Sequence, residues 1–264
     1  MHKIISLISI KGGTGKTTNV VNIAYFLSKA YKKKVLVVDA NFSAPNLRIN
    51  LGLSEPKIGI HEMIQENTNP AEAIYKTSYG FNILPAKLNN KKLTKVSSLK
   101  EYLWQIKRDY DFIIIDSSPN TNAEIISAID SSDSVIIVMN PEYSSLSCAL
   151  MASKIAGEKE VDICGILLNK VYGSKNELSE KDIEKTTGMK IIASIPYSSE
   201  IHEASLKRMP IIESNKRKKY YEEYSELAKF LILSANPSSE LKLDKNSEKT
   251  TPKRNREFIL KNKA

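Results

Sequence analysis

Lys11 and Lys16 bracket a glycine-rich segment, Lys11-Gly12-Gly13-Thr14-Gly15-Lys16, and Thr17 and Thr18 follow it directly. These residue types at this spacing suit phosphate. Glycines allow successive backbone N–H groups to turn inward around phosphate oxygens, and a helix beginning there adds the positive end of its dipole. Lys16 supplies a point charge for β- and γ-phosphates, and the Thr17 hydroxyl is placed to coordinate Mg²⁺. The segment follows an apolar run, Ile4 to Ile10, and opens a helical pattern, which is the setting that a phosphate loop requires. The ligand expected across Lys11, Gly12, Gly13, Thr14, Gly15, Lys16, Thr17 and Thr18 is ATP, or ADP after hydrolysis, together with Mg²⁺.

A second acid fits the same chemistry. Asp116 follows Ile113-Ile114-Ile115, and a carboxylate at the end of such a buried strand can hold Mg²⁺ through water. The bland alternative is an Asp that starts the turn before Ser117-Ser118-Pro119. A strand of this kind beside a phosphate loop favours the metal role, so Thr17 and Asp116 are the expected metal residues.

The elements that must position these residues alternate along the chain. Short, nearly continuous Ile/Val/Leu runs predict strands at Lys3–Ile10, Lys34–Asp39, Phe81–Leu84, Asp111–Asp116, Ser134–Met139, Cys164–Asn169 and Lys190–Ile195. Between them, helices are expected at Lys16–Tyr31, Ile60–Gln65, Pro70–Lys76, Ser98–Arg108, Asn122–Ile129, Ser145–Ala156, Glu177–Thr186 and Tyr220–Leu233. The pattern predicts an α/β fold with a doubly wound, mostly parallel β-sheet flanked by helices. It implies one ATPase domain over residues 1–233 and a basic tail over 234–264, where Ser234-Ala235-Asn236-Pro237 reads as a linker.

The loop departs from the ordinary Walker A pattern, because Ile10 stands where that pattern has its first glycine. Lys-Gly-Gly-x-Gly-Lys-Thr-Thr is the deviant Walker A form, and over roughly Met1 to Leu233 the chain resembles the MinD/ParA ATPases, MinD more than ParA. Val35-Leu36-Val37-Val38-Asp39 resembles the strand leading into switch I, and Tyr110 to Pro119 resembles the Walker B strand and switch II. Leu167-Leu168-Asn169-Lys170 resembles the strand end whose Asn reads adenine, and Ile195-Pro196-Tyr197 the loop flanking the base. The resemblance thus implies that Asn169 and Pro196 contact the nucleotide, although an Asn at a strand end is also an ordinary turn residue. It implies further that Lys11 reaches the phosphates of a partner in an ATP-dependent homodimer, adding positive charge where negative charge builds in phosphoryl transfer.

One position breaks the family pattern. Switch I there usually reads Asp-x-Asp, and the second Asp orients the attacking water. This chain reads Asp39-Ala40-Asn41. An amide accepts a hydrogen bond from water but cannot take a proton and carries no charge. ATP binding with slow hydrolysis is therefore expected, with Lys11, Lys16, Asp39 and Asn41 as the catalytic set. The resemblance implies spatial organisation, either of a division site, of a chromosome or plasmid, or of a cellular machine, through an unidentified activator or cargo protein. A near-inactive, ATP-dependent recruitment switch is the second reading. A bacterial-type tyrosine kinase ranks low, because Tyr220, Tyr221 and Tyr224 sit within a helical pattern rather than in a tail.

Composition narrows the remaining classes. The chain has 264 residues, 41% of them hydrophobic, and a net charge of +9. The stretch from Ala235 to Ala264 carries +4 of that charge, so the folded part is not strongly basic. Lys216-Arg217-Lys218-Lys219 reads as a solvated loop. Cys148 and Cys164 are too few and too far apart for a disulfide framework, and no pairing suits an iron–sulfur cluster. The protein is expected to be cytoplasmic and peripheral at the membrane. Arg254, Arg256, Lys261 and Lys263 around Phe258-Ile259-Leu260 suit weak contact with an anionic membrane surface; a plain solubilising tail is the alternative, and nucleic acid is the less favoured partner.

Overall fold

The computed structural model describes residues 2–88, 99–211 and 219–236. Its sheet has eight strands: β1 (Lys3–Ile8), β2 (Val35–Ala40), β3 (Tyr75–Lys76), β4 (Asn82–Leu84), β5 (Phe112–Ser117), β6 (Ser134–Met139), β7 (Asp162–Val171) and β8 (Ile191–Pro196). The order across the sheet is β3-β4-β2-β5-β1-β6-β7-β8. Every pairing is parallel except that of edge strand β3 with β4.

Strand residues alternate between two buried faces, which explains their unbroken apolar runs. On β5, Phe112 and Ile114 pack on one side, together with Ile5 and Leu7 of β1. That side is covered by α1 (Lys16–Tyr25) and, at the far end of the chain, by a helix over Lys219–Ala235. Ile113 and Ile115 face the other side, which is closed by helices over Ile60–Glu66, Leu99–Ile106 and Ala123–Asp130. The remaining helices in chain order are α2 (Leu47–Asn50), Tyr143–Glu158, Glu180–Thr187 and Ser199–Leu206, so that α3 is Ile60–Glu66, α4 Leu99–Ile106, α5 Ala123–Asp130, α6 Tyr143–Glu158, α7 Glu180–Thr187, α8 Ser199–Leu206 and α9 Lys219–Ala235.

From β1 the chain runs outward to β2 and β4, returns through β5, and then moves to the opposite side through β6, β7 and β8. A doubly wound sheet opens a crevice at such a reversal, beyond the carboxyl ends of the strands. The exits of β1, β2 and β5, which carry the glycine loop, Asn41 and Ser117, meet there.

Several expected elements differ. Pro70–Lys76 is not a helix. A 3₁₀ turn over Pro70–Ala73, capped by Asn69 accepting from Ala71 N–H at 3.0 Å, gives way to β3. The open edge of β4 supplies backbone partners that a lone turn of helix lacks. The first helix passes into a π-helical turn over Phe26–Ala30. α8 was not expected, and it buries no residue, so its sequence has no apolar stripe to read. Tyr220 and Tyr224 are core residues, and the Tyr221 ring packs edge-on against Phe26. The start of the expected helix at Ser98, residues 216–218 of the basic run and the tail beyond residue 236 lie outside the described residues.

Candidate functional site

The turn between β1 and α1 is set by two glycines with left-handed backbones, Gly13 (φ 75°) and Gly15 (φ 94°). Any other residue at Gly15 would be strained: its backbone is left-handed, and an added Cβ would lie 2.2 Å from the Asn169 amide nitrogen, which would have to shift. That closeness has a purpose. Asn169, at the exit of β7, donates to the Thr14 carbonyl at 2.7 Å, and Lys170 donates to the Gly13 carbonyl at 2.9 Å. From behind, Asn19 of α1 donates to the Gly15 carbonyl at 2.8 Å, and Tyr224 of α9 donates to Asn19 at 2.8 Å. The loop is therefore braced by the protein's own side chains. The Thr14 side chain is buried and its hydroxyl has no partner among the described residues.

Lys16 is buried, with its ammonium donating to the Ser9 carbonyl at 3.3 Å. Burial pulls its pKa down, opposed by the charge of Asp116. Thr17 donates to Asp116 Oδ2 at 2.6 Å. Asp116 Oδ1 is buried without a partner among the described residues, and burial pushes this carboxyl up to about 6, against the Thr17 hydrogen bond and the Lys16 charge. Asp39 stands directly opposite Asp116 in the β2–β5 register. It accepts from the Asn41 and Leu47 N–H groups, each at 3.2 Å. Its pKa is raised well above the usual carboxylate range, by burial first and then by Asp116, with the backbone hydrogen bonds opposing.

Two buried carboxylates side by side, one with an orphan oxygen next to a threonine hydroxyl, form a donor set short of positive charge. A divalent cation bound by hard oxygen ligands fits it.

The cavity in front of these groups has a volume of about 540 Å³, and Gly12, Gly13, Gly15, Lys16, Thr17, Thr18, Asn41, Asn169 and Pro196 all line it. Asn41 is held by its amide, which donates to the Ala44 carbonyl at 2.7 Å. At the Pro196 end, Tyr197 stacks on Tyr172 with ring centroids 4.4 Å apart. Asp39 and Asp116 lie behind the wall. Lys11 turns away from the cavity and pairs with Glu142 at 2.5 Å and with Ser144 at 2.7 Å, at the start of α6.

Sequence reasoning missed several residues that shape the site. Lys170 belongs to the quoted strand-end motif, but its bond to the glycine loop is visible only in the fold. Glu142 and Ser144 carry no local signal, since acids and serines at helix starts are common for reasons of dipole and capping.

Fold, loop and carboxylates together define a P-loop ATPase. A family profile described as AAA domain matches residues 2–158, and that of the 4Fe-4S iron sulfur cluster binding proteins, NifH/frxC family, matches 109–245. An uncharacterized ATP-binding protein of Methanocaldococcus jannaschii is 30% identical over 230 residues, covering 86% of this chain and 87% of its own. The septum site-determining protein MinD of Thermotoga maritima is 28% identical over 80% of this chain and 81% of its own. Among solved structures, MinD of Pyrococcus horikoshii complexed with Mg-ADP is 28% identical and superposes with a TM-score of 0.84, covering 91% of this chain and all of its own. The chain belongs to the MinD/ParA family of P-loop ATPases. The NifH-type match spans the second half of the same fold. Within it Cys148 lies on α6, and Cys164 lies on β7 with its thiol donating to Ser134. No helix among the described residues is long and apolar enough to cross a membrane.

Proposed function

We propose that this protein binds ATP with Mg²⁺, hydrolyses it slowly, and forms an ATP-dependent sandwich dimer that serves spatial organisation in the cell. One observation carries the nucleotide reading: the Lys16 ammonium, the Thr17 hydroxyl and the partnerless Asp116 Oδ1 converge beneath a pre-braced glycine loop. The N–H groups from Gly12 to Thr18 surround the phosphates, and Lys16 neutralises the β and γ groups. Thr17 and Asp116 hold the metal. A Mg²⁺ ion held there would offset the negative charge that builds up in phosphoryl transfer. Asn169 and Pro196 border the space for the base.

Slow turnover follows from Asn41. It lines the cavity and offers an amide where the family's acid would polarise water. The neighbouring acid, Asp39, is turned to its own loop, where it accepts from backbone N–H groups. The same observation favours a second reading, a recruitment switch whose ATP-bound dimer hardly turns over.

Lys11, held by Glu142 within its own chain, is the residue that would cross to a partner's phosphates. Likeness to MinD supports a surface-associated partner protein as activator or cargo. In Aquifex aeolicus, MinD is found in a complex with MinC. The basic tail is the proposed weak membrane contact, with DNA the less favoured surface.

Binding of a fluorescent ATP analogue, with and without Mg²⁺, tests the core of this reading. Wild type is expected to bind and Lys16→Ala to lose binding by at least about tenfold, as expected for loss of a charge-assisted contact. Equal affinity and equal turnover in the variant would overturn it. Steady-state phosphate release separates the ATPase from the switch. Liposome co-sedimentation with ATP, before and after deletion of residues beyond Pro252, tests the tail.

A further inference from the structure

Beside the switch I loop lies a buried acid that the reaction as described does not use. Glu124 sits in the first turn of α5, a few residues beyond Asp116 along the chain, and only 7% of it is exposed. Its Oε1 accepts two hydrogen bonds from one residue of the opposite loop: the Ser43 N–H at 2.9 Å and the Ser43 hydroxyl. Its Oε2 is buried with no partner among the described residues. A buried carboxylate costs free energy unless its bonds give something in return, and here both bonds go to a residue that is itself exposed. The expenditure is on the loop backbone.

Ser43 lies inside the turn that Asn41 closes onto Ala44. Fixing Ser43 therefore fixes the turn that aims Asn41 into the cavity. The loop is gripped from its other side as well. The Phe42 ring meets the His61 imidazole edge-on at 5.9 Å, and the Phe42 backbone bonds to that imidazole. Glu124 differs from His61 in its origin. It belongs to the segment that leaves the Asp116 strand, so it ties the loop holding Asn41 to the loop following the metal carboxylate.

We propose that Glu124 is a positioning residue for ATP hydrolysis, which through Ser43 sets the place of Asn41 relative to Asp116. The proposal rests on the ATPase reading above for its kinetic consequence, while the tether itself is independent of it. Removing the tether should slow the chemical step and leave nucleotide affinity nearly intact, because Glu124 touches neither the glycine loop nor Lys16.

The test uses the full-length protein and two readouts. In single-turnover hydrolysis, Glu124→Ala is expected to slow the rate by at least about tenfold with affinity within about twofold, as for loss of a contact that acts only on transition-state geometry. Glu124→Gln keeps an oxygen acceptor at Oε1 and should stay within about threefold of wild type. Ser43→Ala, at an exposed position that threatens no fold, should fall between them and add nothing to Glu124→Ala in the double variant. The second readout is amide hydrogen exchange without nucleotide. The Ser43 N–H should exchange at least about tenfold faster in Glu124→Ala and stay protected in Glu124→Gln. Should the wild type not hydrolyse ATP at all, the ATPase reading fails while the exchange arm still decides the tether. Unchanged Ser43 exchange in Glu124→Ala, additive losses in the double variant, or a loss confined to affinity would each overturn the proposal.

Discussion

The ammonium of Lys11 is bonded to the carboxylate of Glu142 and the hydroxyl of Ser144 in its own chain. For Lys11 to serve a partner's phosphates it must leave both. The pair is half-exposed, so it holds the lysine by only about 0.2–1 kcal/mol. Glu142→Gln is accordingly expected to strengthen the proposed ATP-dependent dimer by about twofold to fivefold, and Lys11→Ala to abolish it. Light scattering against protein concentration, with a slowly hydrolysed analogue, measures both. Weaker dimerisation in Glu142→Gln would mean that Glu142 works across the interface and does not restrain Lys11.

The contact between Gly15 and Asn169 separates two kinds of glycine. In Gly15→Ala the left-handed backbone and the clash with Asn169 act together, which should cost about 1–3 kcal/mol of stability without nucleotide, a fall in Tm of roughly 2–10 °C. At Gly12 an added Cβ meets nothing within 4 Å. Gly12→Ala should leave that Tm within about a degree. Equal Tm losses in the two variants would show that the bracing by Asn169 is not what constrains the loop.

Replacing Asn41 by Asp restores the acid that the family has in switch I. Asn41→Asp should raise single-turnover hydrolysis by about tenfold or more, the usual scale of general acid–base assistance being larger still. Asp39→Ala should lower what activity exists, because Asp39 anchors the Asn41 and Leu47 N–H groups. No change in Asn41→Asp would place the water-orienting position elsewhere in the loop.

His61 gives the fold a dependence on pH. Burial holds its pKa below the usual value, against the raising influences of Glu62, the Phe42 backbone and Glu124. The neutral ring is the one the fold favours. The unfolded chain therefore takes up a proton first as pH falls through about 6.5, and stability is lost from there downward until the folded ring also titrates. Urea unfolding between pH 7.5 and 5.5 should show this decline in wild type and a flatter profile in His61→Gln. Parallel profiles would remove His61 from the account.

Much of this protein is written locally. Unbroken apolar runs such as Ile113-Ile114-Ile115 declare strands buried on both faces, because a pleated strand sends alternate side chains to opposite sides and both must be covered. The segment from Lys11 to Thr18 declares the phosphate loop, because glycine spacing, a lysine and a threonine are all within one turn of chain. Asn41 was visible as a departure for the same reason. The sequence did not contain the Asp39–Asp116 pairing, the brace of Asn169 against Gly15, the partner of Lys11 or the tether from Glu124 to Ser43. Those residues are 77, 154, 131 and 81 positions apart. Periodicity and spacing report on neighbours within a helix turn or a strand repeat. Which distant side chains share a wall is decided by the strand order, and in this sheet the return of β5 between β2 and β1 brought the two acids and the phosphate loop together.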